Sequence, residues 1–360
     1  MFAKINIFGN KSIRLSVFIR QYCNNSKRSQ TTIRYYRRLA RMIEAFEKHL
    51  AIEVTTDNFT EKMIEDYLHF IRSSKPEKGK IAYRQSTVRN FYQKTISSLH
   101  KAQRAGYKVN LEPFSEFKVN DEDSCAVYLT LPELEQIESL SLNSDSAQVR
   151  DIFLVGCFTA LRYSDYSRLS EDNFCDGMLH IKTRKTGASV TIPVHPVIHR
   201  IIERNKGYAF LKYNNSQQNF NKVIKNVCKK AGICQKILVE RTEGFKVVRK
   251  MVPKYQLVST HTARRSGATN MYLAGIPPFR IMLITGHKTE SAFYRYIRIQ
   301  KEENAKDLRT IRFLNRKGVM RLLYYCHKVR LKVNIVYKCY KNAGNLFVTT
   351  YFSYQFFSSP

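Results

Sequence analysis

Residues 150–169 read RDIFLVGCFTALRYSDYSRL. The near-continuous apolar run from Ile152 to Leu161 predicts a helix buried on all sides, because a helix with a wet face shows polar residues every three or four positions. The run breaks at Arg162-Tyr163-Ser164-Asp165, which predicts a turn and the start of another helix. It is about half the ~20 residues that a spanning helix needs, so this most apolar part of the chain belongs to a folded core and argues against a membrane. A core built around one buried helix sets the class as mainly α.

Toward the N-terminus, Thr130-Leu131-Pro132-Glu133 has the arrangement of a capping box, with a hydroxyl for the orphan N–H groups and a Glu three residues on. Before it, residues 108–126 lose helical periodicity and gather the acids Glu112, Glu116, Asp121, Glu122 and Asp123, which predicts a linker. Earlier still, apolar stripes recur at helical spacing: Ile33, Tyr36, Leu39, Ile43, Phe46 and Leu50; then Met63, Ile64, Tyr67, Leu68 and Ile71; then Val88, Phe91, Tyr92, Ile96, Leu99 and Ala102, stopped by Gly106. A weaker stripe runs from Ile13 to Tyr22. Residues 12–107 therefore read as a small helical bundle after an extension of residues 1–11, with Arg34, Arg37, Arg38 and Arg41 between the apolar positions of one helix. Such a basic face is a candidate DNA contact, although a solvated surface looks the same.

Toward the C-terminus, Met178 to Val194 alternates around Lys185-Thr186-Gly187 and predicts a short hairpin or three-stranded antiparallel sheet. Helices are expected at about 215–231, 260–274 and 277–285, the last two separated by Gly275 and Pro277-Pro278. The second unit spans 127–307. Along it lie Arg162, Lys185, His261 with Arg264, His287 and Tyr296, each of which alone reads most simply as structure.

As an ordered set they resemble the signature of the tyrosine recombinase (phage integrase) family: Arg, Lys, His-x-x-Arg, His, Tyr. The resemblance covers about residues 12–305. Asp165, three after Arg162, matches an acid that supports the first Arg in that family; Gly286-His287 resembles Leu-Gly-His with Thr285 in place of Leu; and Tyr296 falls nine residues after His287. The resemblance implies an N-terminal SAM-like core-binding domain and a catalytic domain that close on double-stranded DNA. It also implies a homotetramer in the synaptic complex with Ile299 to Leu308 docking on a neighbour, room for a DNA-bending accessory protein, and no metal or other cofactor. Its chemistry suits the residue types. Tyr296 would attack in line to give a 3′-phosphotyrosine; His261 would serve as base or proton relay, because a phenol with pKa near ~10 is a poor nucleophile at neutral pH. Arg162 and Arg264 would clamp the non-bridging oxygens with planar donors, Lys185 would protonate the leaving oxygen, and His287 would add a hydrogen bond.

Three choices stay open at this level. Tyr294 and Tyr296 cannot both face one phosphate from a helix, and spacing favours Tyr296. Lys182 competes with Lys185, and Arg265 should point away from Arg264, as a DNA-backbone contact or a structural ion pair.

Composition agrees with a polyanionic partner. The net charge is +32, of which the acid-free tail, residues 308–360, carries +10 and residues 1–307 the remaining +22. Trp is absent, which removes a Trp interfacial belt. The eight cysteines form no Cys-x-x-Cys pair or zinc spacing, and no signal-peptide pattern opens the chain, so the expected setting is the reducing cytoplasm. The Tyr- and Phe-rich tail reads as a poorly structured appendage, with a nucleic-acid-binding extension as the other reading. Two further functions compete with a recombinase: a decayed integrase that only binds DNA, and a related topoisomerase.

Overall fold

The computed structural model describes residues 11–75, 82–122, 126–294 and 296–297, together with the backbone of 334–342 and 345–353. Four helices make the first domain: α1 (Leu15–Asn25), α2 (Gln30–Leu50), α3 (Glu61–Ser73) and α4 (Gln85–Arg104). The stripes read from the sequence line its core, where Leu39, Ile64, Ile71, Val88, Phe91 and Leu99 are fully buried. Helix α2 starts where Ser29 accepts the Thr32 N–H, and α3 where Thr60 accepts that of Met63. The stretch expected to be linker from residue 108 is in part core. Phe114 is buried with this bundle, Val109, Leu111, Phe117 and Val119 pack against it, and the Tyr92 hydroxyl donates to the carbonyls of Phe114 and Phe117. Acids on the outside hid the apolar positions between them.

The second domain is built around α6 (Ser144–Thr159), in which ten residues from Val149 to Thr159 are buried. Around it lie α5 (Leu131–Glu138), α7 (Tyr163–Tyr166), α8 (Pro196–Arg204), α9 (Gln217–Lys230), α10 (Lys254–Leu257), α11 (Thr260–Leu273), α12 (Pro278–Thr285) and α13 (Glu290–Tyr294). The Thr130–Glu133 capping box is present, and Glu133 also binds the buried Lys254 at 2.6 Å. A three-stranded antiparallel sheet, β1 (Phe174–Cys175), β2 (Met178–Lys182) and β3 (Ser189–Pro193), carries the Lys185 loop between its last two strands. Its alternating burial matches the alternation in sequence. Helices α6 and α11 touch at Gly267, where a Cβ would stand 2.3 Å from the Cys157 carbonyl oxygen. No helix among the described residues is long and apolar enough to cross a membrane.

A second hairpin, β4 (Lys236–Glu243) and β5 (Lys246–Pro253), was not anticipated. Its tip reaches the first domain. The backbones of Glu243 and Arg84 pair in an isolated antiparallel β-bridge, the Gly244 N–H donates to the Tyr83 carbonyl at 2.9 Å, and the Phe245 ring lies 4.9 Å from that of His69. The Thr242 N–H donates to the carboxylate of Glu122, at the end of the segment that joins the domains. Gly244 has φ +60, and a Cβ there would meet Ala82 Cβ and the Arg72 carbonyl oxygen, each at 2.9 Å, so this contact needs a glycine.

The tail expectation needs correction for part of its length. Strands β6 (Asn334–Asn342) and β7 (Asn345–Ser353) pair antiparallel, in residues rich in Val, Ile, Tyr, Phe and Thr, the types that favour extended chain. The Ile299–Leu308 docking segment lies outside the described residues.

Candidate active site

Arg162 caps the N-terminus of α7, immediately after the buried α6 ends with Ala160 in the left-handed conformation. His261, Arg264 and Arg265 stand on α11, His287 follows the Gly286 cap of α12, and Tyr296 follows α13. Phe293 is fully buried against Ala268 and Ile281, and the Tyr296 N–H donates to its carbonyl at 2.7 Å. Burying such a ring is worth about 1.5–3 kcal/mol, so Phe293 holds the tyrosine segment on α11 and α12.

The tyrosine hydroxyl lies 2.6 Å from His261 Nε2. The His287 ring centroid is 5.0 Å from that of Tyr296, and the guanidinium carbons of Arg264 and Arg265 each stand 5.5 Å from the Tyr296 ring centroid. Arg265 thus departs from the expectation that it points elsewhere. Two neighbouring guanidinium groups converge on one ring because the long side chains bend toward the π face. Arg264 is 2% exposed and anchored by two carbonyls, Nη1 to Ala160 at 3.1 Å and Nη2 to Thr285. Gly286 sits between Arg162 and the hairpin tip: a Cβ built on it would lie 3.7 Å from Arg162 Nη1 and 3.9 Å from Thr186 Oγ1. Lys185 is exposed in the β2–β3 loop. Its charge reaches His261, while Lys182 sits at the end of β2 with its carbonyl bonded to Arg168.

The electrostatics follow from this crowding of cations. Partial burial, then Arg265, Arg264, Arg162 and Lys185, pull His261 down to about 4. Burial with Arg264 and Arg162 pulls His287 to about 4 as well. Both imidazoles are neutral at pH 7 and able to accept a proton. Burial lowers Arg264 to about 10, which leaves it charged. Burial also raises Tyr296 above the ordinary phenol value, against the opposing pull of Arg264, Arg265 and Arg162. A site with four cations and a protonated phenol is built for an anion. Among the described residues no group of three or more His, Cys, Asp or Glu is placed to hold a metal ion.

Other expectations fare differently. Asp165 is buried but makes no ion pair with Arg162; its carboxylate accepts the Arg184 N–H at 2.8 Å and faces Arg168 at 3.7 Å. Tyr294 is 47% exposed beside the rings of Tyr272 and Phe293 and does not join the cluster. On α2, Arg34, Arg37 and Arg41 face solvent, whereas Arg38 is spread over the rings of Tyr83 and Phe91 at 5.2 and 5.3 Å and is a packing residue. Thr285, which in sequence is only a departure from the motif's Leu, has its Oγ1 2.9 Å from His287 Nδ1 and fixes that ring. The signal was the polar residue standing where the resembled motif has Leu.

The sequence matches the family model for the phage integrase family over residues 128–303, and the model for a phage integrase SAM-like domain over residues 14–119. None of the curated proteins matches it significantly. Among solved structures, the fold resembles a lambda integrase dimer bound to a COC′ core site, with 15% identity, 81% of this chain and 97% of that chain covered, and a TM-score of 0.60. It also resembles a Tn1549 transposon integrase in complex with a circular intermediate DNA (16% identity, 83% and 100% covered, TM-score 0.56) and a lambda integrase tetramer bound to a Holliday junction (15%, 80% and 78%, TM-score 0.57).

Proposed function

The chain belongs to the phage integrase family of tyrosine recombinases, and from that premise we propose that it is a site-specific DNA recombinase that breaks and rejoins duplex DNA through a 3′-phosphotyrosine, without metal or ATP. The observation that carries this reading is the 2.6 Å contact from the Tyr296 hydroxyl to His261 Nε2 inside a ring of arginines. Nucleophile and base come from one chain, so cleavage acts in cis.

The scissile phosphate sits among Arg162, Arg264 and Arg265, whose planar donors stabilise the charge that grows on its non-bridging oxygens. Burial and then the surrounding cations hold His261 near 4; the negative charge of the phosphate offsets the cationic part, so the base gains proton affinity when DNA is bound. Tyr296 then attacks phosphorus as His261 takes the phenolic proton; the P–O5′ bond breaks, and Lys185 gives its proton to the leaving 5′-oxygen. Because the Thr285 hydroxyl donates to the Ile281 carbonyl, its oxygen accepts Nδ1–H of the neutral His287 ring, and His287 donates Nε2–H to the phosphate once the bound anion has raised its proton affinity and the ring is protonated. The exposed Arg34, Arg37 and Arg41 supply backbone contacts from the first domain. We assign a homotetramer as the working assembly, in the cytoplasm where its DNA substrate lies.

A suicide duplex nicked near the attachment site tests the reading. The wild-type protein should become covalently joined to DNA, and Tyr296→Phe should bind equally and form no adduct. Absence of a wild-type adduct, with binding intact, would leave a DNA-binding protein without activity.

A further inference from the structure

The Asp165 carboxylate is fully buried at the turn after Arg162, yet its partners lie in the β2–β3 loop. Oδ1 accepts the backbone N–H of Arg184 at 2.8 Å, and Oδ2 is buried with no hydrogen-bond partner. Arg168, 3.7 Å from the same carboxylate, donates to the carbonyl of Lys182. One carboxylate and one guanidinium from the turn thus grip the loop on both sides of Thr183. The loop is also closed on itself. The Thr183 N–H donates to the Ala188 carbonyl at 2.8 Å, the Gly187 N–H donates to the Thr183 carbonyl at 2.9 Å, and the Thr183 and Thr186 hydroxyls lie 2.8 Å apart. Lys185, next to the gripped Arg184 N–H, stands exposed at the tip.

We infer that Asp165 is a positioning residue for proton donation: through the Arg184 N–H it fixes the loop so that the Lys185 ammonium reaches the leaving 5′-oxygen. The inference rests on the reading of Lys185 as the acid. A lysine at a loop tip has two sources of lost order, its own four-carbon stem and the loop beneath it. A charge-assisted hydrogen bond to the loop backbone removes the second before DNA arrives. The geometry departs from a direct role toward Arg162, since the carboxylate makes no ion pair with that residue.

The step permits a test that a merely structural role would not pass. When the P–O5′ bond breaks, the departing oxygen needs the lysine's proton, whereas a 5′-bridging sulfur leaves as a thiolate and needs none. Full-length variants would be assayed on nicked suicide duplexes carrying either atom at the scissile position. Lys185→Ala should cleave the oxygen substrate about 10²-fold or more slowly, the usual worth of a general acid, and recover on sulfur. Asp165→Ala should show the same loss and recovery, Asp165→Asn should fall between it and wild type because an amide oxygen still accepts the N–H, and Arg162→Ala should recover on neither. Arg184→Pro removes the N–H itself from an exposed residue and should copy Asp165→Ala, so it decides the matter if the alanine variant does not fold. Recovery of Lys185→Ala without recovery of Asp165→Ala or Arg184→Pro overturns the inference alone. No recovery of Lys185→Ala overturns the acid assignment, and the inference with it, while a wild type that forms no adduct refutes the function itself.

Discussion

Gly267→Ala adds one methyl group at the closest approach of α6 and α11. That methyl would stand 2.3 Å from the Cys157 carbonyl oxygen and 2.8 Å from Ala160 Cβ, where ordinary contact begins at 3.4 Å. The shortfall against the carbonyl, from 2.3 to 3.4 Å, is about 1 Å, and both neighbours belong to or adjoin backbone that cannot swing aside. Alanine gains about 1 kcal/mol over glycine within a helix, against about 1–3 kcal/mol for overpacking. The net stability change is therefore small, between zero and a loss of about 2 kcal/mol. The catalytic consequence is larger. The same helix carries His261 and Arg264, and Arg264 is anchored on the carbonyl of Ala160, the residue whose Cα and Cβ the methyl would crowd, so α11 must shift relative to that anchor. A 1 Å shift of catalytic groups costs about 10²-fold in rate. Urea denaturation and single-turnover adduct formation on the suicide duplex measure the two effects separately. A variant more stable than wild type that cleaves at the wild-type rate would show that the helices part freely and that their contact does not set the site.

Three further outcomes follow from the same geometry. His261 and His287 both have folded values near 4, below their ordinary 6.5, so the stability they contribute is whole above about 6.5 and lost as pH falls through about 4. Thermal melts of DNA-free protein should therefore fall over that window, less steeply in a His261→Gln, His287→Gln double variant; equal slopes would place the proton uptake elsewhere. Phe293→Ala, with a cavity cost of about 3–5 kcal/mol for a buried ring, should release the Tyr296 segment and abolish adduct formation while oligonucleotide binding persists, read by gel shift. Lys254→Met strands a carboxylate that is 18% exposed and should cost about 3–5 kcal/mol in urea denaturation, most of it recovered by adding Glu133→Gln.

The sequence carried the helices well, because α2, α3, α4 and α6 declare themselves by apolar spacing that tertiary contacts then respect. It carried the candidate catalytic set as an ordered list but not as directions in space. Arg265 could not be turned toward Tyr296 from its place beside Arg264, and Asp165 could not be separated from Arg162, because spacing fixes where a side chain starts and not where it ends. Arg38 looked like its neighbours on α2 until Tyr83 and Phe91 closed over it. The β4–β5 hairpin has no sequence signature of a half-buried strand, because Leu238, Val247 and Met251 lie exposed among Lys, Arg and Glu, so the partial alternation of burial along β4 has no matching alternation of apolar and polar residues. Gly244 between two β-branched runs was the signal available.

That hairpin bears on how the two domains can move. Two bodies joined by a single length of chain can swivel about any axis through it. Here a second attachment, Gly244 on Tyr83 and Glu243 on Arg84, stands beside the covalent crossing at Glu122, with Thr242 bonded to Glu122 between them. Fixing two neighbouring points leaves one easy rotation, about the line through both. While the tip holds, rotation about that line is the easiest relative motion open to the two domains, and a partner that lifted the tip would convert a hinge on two pins into a tether.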